Sequence, residues 1–324
     1  MTVESKPEPK QKAGRQIPVL RIAGTVISLG LLVYLLFREG WQTVSGAVSV
    51  VGFPVFLLLL GLTLLSRLAV SFRWFNLLRS ANVDISFGQA VRLSFAGLFA
   101  SNFLPTTIGG DVVRFAGAIR LKVDGAVCAA SLVMDRLIGM AGMFTALPIG
   151  LVKFFSMPLP SLPVQSSHFL VSGTLYAGFR AKIQEYLKKL VISVWDAIRL
   201  WISKPGSMLI SFVFTWAHMI FLFLTLHIMI SRMGESISFW LTAGLWSISY
   251  FITQLPISIN GYGLQELSLV VIFGHYGGIS SQNVLAMALL IRILQMLASL
   301  PGAFFVPGLI QPAKSASLEE ELKP

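Results

Sequence analysis

Six ionisable side chains interrupt apolar stretches of this chain: Asp111, Arg114, Asp135, Arg136, Glu266 and Arg292. At the centre of a bilayer each is expensive unless it is paired or hydrated. Asp111 and Arg114 stand three apart, on one helical face. Asp135 and Arg136 are adjacent, so a helix turns them about 100° apart and each needs a partner elsewhere, or a ligand. The planar fork of arginine matches a phosphate. A carboxylate suits a cationic group or a relayed proton. Asn102 lies close by in sequence and offers a hydrogen bond to either. Two roles are compatible: the six charges neutralise one another and hold helices together, or they line a hydrophilic cavity.

The local settings of these charges resemble each other. One stretch runs Leu104-Pro105-Thr106-Thr107-Ile108-Gly109-Gly110-Asp111. The other runs Leu255-Pro256-Ile257-Ser258-Ile259-Asn260-Gly261-Tyr262-Gly263 and reaches Glu266. Each is an apolar helix, Leu-Pro, small polar residues, glycines and a carboxylate. Proline removes a backbone donor and ends a helix. Glycine permits the turn. Irregular backbone at membrane depth is tolerated only where protein or a water-filled cavity satisfies it. The glycines Gly109, Gly110, Gly261 and Gly263 precede helix starts, whose amides and dipole attract anions such as phosphate. The plainer alternative makes Pro105 and Pro256 kinks in tightly packed spans.

The elements that must hold these residues follow from composition and charge. The chain has 324 residues, 55% hydrophobic and 12% charged, against about 25% charged in a soluble domain. Apolar residues come in runs near 19–37, 53–66, 90–104, 126–151, 164–179, 207–230, 238–255, 267–273 and 284–309. The class is therefore an all-α polytopic membrane protein. The net charge of +11 sits between apolar runs, which favours the anionic inner leaflet over nucleic acid. The single cysteine, Cys128, excludes an intrachain disulfide, and no metal, cofactor or catalytic motif is read. The apolar run 19–37 is expected to stay as an uncleaved first helix, because it is longer than a signal-peptide core.

Basic residues orient the spans. The arm 1–18 is expected to be disordered and cytoplasmic. Arg67, Arg73, Arg79 and Arg92 assign the next connection to the inside. Residues 180–204, opening on Arg180 and closing on Lys204, read as an amphipathic helix on the anionic inner leaflet. The segment about 90–120 must then enter and leave on the cytoplasmic side, and its halves of about fifteen residues are too short to cross. It is expected to be a re-entrant hairpin. The segment about 238–273 is expected to be a second one, entered from outside. The result is about six spanning helices plus two inverted re-entrant hairpins in a membrane domain 19–310, halved into 19–179 and 205–310, with a disordered tail 311–324. Eight spanning helices is the alternative. The localisation expected is the cell (inner) membrane.

Taken together, Asn102, Leu104-Pro105, Gly109-Gly110-Asp111, Arg114, Asp135-Arg136, Leu255 to Gly261, Gly263, Glu266 and Arg292 resemble one family. It is the flippase-like membrane region of lysylphosphatidylglycerol synthases and their stand-alone bacterial and archaeal relatives. The resemblance runs from about Val19 to Gly308 and implies movement of modified phospholipids between leaflets. Two residues depart from the pattern: Tyr262 between two glycines, and Gln265 before the glutamate. The full synthases carry a soluble aminoacyl-transfer domain, so lipid aminoacylation by this chain is not expected.

The function expected is translocation of a polar phospholipid or modified lipid through a charged intramembrane cavity. The head group would be held by Asn102, Gly109, Gly110, Asp111, Arg114, Asp135, Arg136, Gly261, Gly263, Glu266 and Arg292. A membrane-embedded lipid-modifying enzyme is one alternative, although no metal motif or nucleophile elbow is present. A non-catalytic scaffold of a lipid-modifying complex is the other. The partners expected are membrane lipids; a homo-oligomer and lipid-biosynthesis enzymes are left open.

Overall fold

A computed structural model describes residues 49, 51–102, 109–156, 195, 199–254 and 264–305, the side chains of Leu264 and Glu266 excepted. The expected arm 1–18, the runs 19–37 and 164–179, most of the helix 180–204 and the tail 311–324 lie outside the described residues. So do Pro105, Pro256, Gly261 and Gly263.

The described residues form helices and no strand. Helix α1 (Phe53–Ser80) opens on Gly52, at φ 79, with a proline in its first turn. A Ser86–Gln89 capping box starts α2 (Phe87–Ser101), satisfying orphan amides on both sides of the cap. Then come α3 (Gly109–Arg120) and α4 (Gly125–Ser156). The second half contains α5 (Pro205–Arg232), α6 (Phe239–Thr253), α7 (Leu264–Leu269) and α8 (Ser281–Ala303). Helix α7 continues as a π-helical turn, Val270–Tyr276.

Among the described residues, four helices are long and apolar enough to cross a membrane: α1, α4, α5 and α8. One sequence expectation is corrected here. The run 53–66 does not end in a charged connection; α1 carries on through Arg67 and Arg73 to Ser80. No glycine or proline stands between Ser66 and Ser80 to stop it. Arg67 therefore lies in mid-helix, about 20 Å from either end, and Arg73 is buried.

The short helices pack as two hairpins. Helices α2 and α3 meet where Gly97 faces Gly110: a methyl on Gly97 would stand 2.5 Å from the Gly110 carbonyl oxygen. A 15-residue helix reaches about 22 Å, short of the roughly 30 Å of hydrocarbon. Helix α6 packs against α7 and its π-helical extension.

The two halves repeat. Ser66 and His218, which touch, are 152 residues apart, and that offset carries α1 onto α5 and α2 onto α6 end to end. The turns correspond as well. Asn82 and Gly234 both have positive φ, at 62 and 80. The Val83 N–H donates to Leu78 and the Glu235 N–H to Ile230. Ser86 and Ser238 both cap the helix that follows. Further on, Lys122 and Gly278 share positive φ, at 61 and 71, and Asp124 and Ser280 cap the last long helix of each half. The offset there is slightly longer, and the π-helical turn, wider than an α turn, takes up part of the extra length.

Corresponding helices run in opposite directions. Along α1, Ser66 meets His218, Asn76 donates to Ser207 and Ser211, and Leu77 and Ser80 accept from Trp201. Helices α1 and α5 are thus antiparallel and pack around the axis that relates the halves. Packing across the halves is reciprocal. Helix α4 lies on α6 where Gly150 meets Gly244, and α8 lies on α2 where Gly302 meets the Phe95 carbonyl. Between them Leu59, Met219, Phe223 and Leu226 close the apolar core.

Candidate functional site

A chain of ion pairs runs through the first half. Asp135, buried on α4, accepts from Arg73 Nε at 2.6 Å and from both terminal nitrogens of Arg114 at 3.2 Å. Arg114 also donates to Asp111 Oδ1 at 3.1 Å. Asp111 accepts in turn from Arg136 Nε at 2.6 Å. Sequence spacing required separate partners for Asp135 and Arg136, and the helices supply them. Arg136 belongs to α4 but turns to Asp111 on α3; Asp135 turns to α1 and α3.

Neighbouring side chains fix this chain in place. The Arg114 guanidinium lies 4.1 Å from the centre of the Trp74 ring, a favourable seat for a cation. Trp74 Nε1 donates to Ser131, so the indole that carries Arg114 is itself held. Arg73 donates to Thr215 on α5 at 3.2 Å and rests against Gly139. Exposure falls along the chain of pairs, from a 42% exposed Arg136 side chain to 4% at Asp135. The Asp135 end is structural and the Arg136 end faces open space.

That space is a pair of cavities meeting at Arg67. The first, about 280 Å³, is lined by Arg67, Ser71 and Ser94, by the α2–α3 contact at Gly97 and Gly110, and by Asp111 and Arg114. The second, about 410 Å³, lies between the halves. Leu98 and Ser101 reach it from the end of α2; Tyr250, Thr253, Gln254 and Gln265 from the corresponding ends of α6 and α7. Arg67, Arg136, Met140 and Gln295 complete it from α1, α4 and α8. A small gap of about 20 Å³ beside Arg67 and Gln295 also touches Thr63 and Thr225.

Not every residue expected at the site lines these cavities. Asp111, Arg114, Arg136 and Gly110 do. Asp135 is sealed behind Arg73 and Arg114. Asn102 does not line them; its amide donates to Ser299 at 2.8 Å and ties α2 to α8. Gly109 is buried, and the bare surface of Gly110 is covered by Gly97; these glycines serve helix contact. Arg292 lies outside the cavities, one turn before Gln295. In the register of the repeat, Glu266 and Arg292 stand near the positions that Asp111 and Arg136 hold in the first half.

Sequence reasoning missed Arg67, Arg73, Tyr250, Thr253 and the three glutamines Gln254, Gln265 and Gln295 as site residues. The available signal for the arginines was an unbroken helical stretch through Ser80. For Gln254 and Gln265 it was their position beside the second proline-glycine break.

A family model described as Lysylphosphatidylglycerol synthase TM region matches residues 21–302 of the chain. No curated protein matches it significantly.

Proposed function

Since the chain belongs to the family of the lysylphosphatidylglycerol synthase transmembrane region, we propose that it is a lipid translocase. A polar head group passes through the cavity between the halves while its tails stay in lipid. One observation carries this: the ends of both short-helix hairpins converge on one polar cavity at the middle of the long helices. Hairpins that enter from opposite leaflets and stop at mid-depth give each leaflet a door to the same chamber. Helices α1 and α5 pass each other antiparallel along the axis between the halves. Rocking of one half on the other then exposes the chamber alternately.

The ionic chain divides the work. Asp135, Arg73 and Arg114 brace α1, α3 and α4. Arg136 is exposed to the chamber and joined to Asp111, and a guanidinium there suits a phosphate. Basic residues at the shared end of α1, α2, α3 and α5 (Arg79, Arg92, Arg120, Lys122, Lys204) favour the cytoplasmic side for that end.

The test is a vesicle assay with purified protein and a fluorescent phospholipid whose outer-leaflet copies are bleached by dithionite. Protein-containing vesicles are expected to bleach beyond the outer-leaflet half, and Arg136→Gln to slow the inner fraction. Wild-type protein that leaves the inner half protected for every phospholipid class tried would sink the proposal.

A further inference from the structure

Building on that reading, we propose that Arg67 is the anion anchor of the pathway, shared by both cavities, and that its ligand is a phosphodiester head group bearing uncharged hydroxyls. Arg67 is set apart from the other arginines around it. Arg73, Arg114 and Arg136 each hold a carboxylate. The Arg67 side chain has no ion pair or hydrogen bond among the described residues, and its Nε is buried without an acceptor. A cation left at mid-membrane without a counter-charge is costly, so the position calls for an anion. The two cavities and the small gap described above are all lined by this one residue.

A second orphan points to the same place. Ser94 Oγ on α2 is also buried without a partner, and it lines the first cavity with Arg67. Arg67 and Ser94 both line this chamber, and a guanidinium with a hydroxyl is a donor set that a phosphate takes. The second cavity supplies a different chemistry. Among its described lining residues no carboxylate appears; Gln254, Gln265 and Gln295 bring amides, Tyr250 and Thr253 hydroxyls. Each amide both donates and accepts, which matches the hydroxyls of a glycerol or sugar group. A phosphate on Arg67 places the rest of the head group among those amides.

Native mass spectrometry of the purified full chain tests this with three probes at equal concentration: phosphatidylinositol, phosphatidic acid and the lysyl ester of phosphatidylglycerol. Phosphatidylinositol is expected to be retained most. Arg67→Gln is expected to lower its occupancy about tenfold, as loss of one charge-assisted contact implies, while Arg67→Lys retains part of it. Ser94→Val, which leaves all charges in place, is expected to lower occupancy by a smaller factor, so the anion site can be read even should Arg67→Gln fold poorly. The double variant Gln254→Leu, Gln295→Leu is expected to bring phosphatidylinositol down to the level of phosphatidic acid. Full occupancy in both Arg67→Gln and Ser94→Val, or preference for the lysyl ester, overturns the proposal. Occupancy without lipid movement in vesicles would overturn the translocase alone. Movement with occupancy indifferent to Arg67 would overturn the anchor alone.

Discussion

Asp135 and Arg136 are neighbours in sequence, and the chain uses them in opposite ways. Asp135 is buried between two arginines. Removing its charge strands Arg73 in a low-dielectric interior and leaves Arg114 with Asp111 alone, and breaking such a buried pair costs about 3–5 kcal/mol. Asp135→Asn is therefore expected to lower the unfolding temperature in detergent strongly. Arg136→Gln removes a partly exposed charge, worth no more than about 1 kcal/mol once solvent screening is allowed for. It is expected to leave unfolding nearly unchanged while slowing lipid movement. Equal thermal losses in the two variants would refute this division. Sequence spacing was enough to show that these residues need outside partners, because adjacent helical positions diverge. It did not identify the partners, because charge counting placed Arg73 in a loop. A charge count weighs basic residues only as markers of a side; it does not see that an uninterrupted helix carries them into the membrane.

At the level of elements, close helix contact depends on glycine at a few positions. A methyl on Gly97 would meet the backbone of Gly110 and the stem of Arg114, and backbone cannot swing aside as a side chain can. Gly97→Leu is expected to open the α2–α3 hairpin at an overpacking cost of about 1–3 kcal/mol, with loss of lipid movement. Gly61→Leu, where nothing lies within 4 Å, is the control expected to behave as wild type. A thermal scan of both variants decides the matter. The second half has a clasp of a different kind. Glu235, in the α5–α6 connection, accepts from the Ser280 backbone N–H at 3.0 Å and from the Asn283 amide at 2.8 Å, both at the start of α8. The Ser280 amide first, then the Asn283 and Ser280 side chains, hold the carboxyl below its ordinary range. A depressed folded pKa means that the clasp contributes fully above the unfolded carboxylate pKa of about 4.3, and its contribution fades as pH falls through the folded value. Wild type is thus expected to outlast Glu235→Gln on heating at neutral pH, with the gap closing in acid. A gap that stays constant down to the acid limit would show that the clasp does not titrate. The short helices themselves were legible from two short apolar runs flanking Leu-Pro and glycines. The clasp was not, because its partners are far apart in sequence and polar residues in a connection carry no periodicity.

At the scale of the molecule, the repeat explains why the chamber is central. Antiparallel copies of one long–short–short–long unit bring their hairpin ends together at the axis, although the two units share little beyond proline, glycine and cap positions. Sequence could show the motif twice. It could not show that Ser66 meets His218 across the axis, since neither belongs to the motif. Opposed direction also has a consequence for the membrane. The turn after α1 and the matching turn after α5 must face opposite sides of the bilayer, because the helices that lead to them are antiparallel. Asp84 and Ser236 are exposed in those turns, while the native Cys128 is buried and unpaired. In a Cys128→Ser background, single cysteines at Asp84 and Ser236 are expected to react with a membrane-impermeant maleimide from opposite faces of right-side-out vesicles. Ser236→Cys should label in sealed vesicles, and Asp84→Cys only after permeabilisation, given the arginines and lysines at its end of the bundle. Labelling of both from the same side would mean that the halves share one orientation, and a chamber with one door per leaflet could not be built from them.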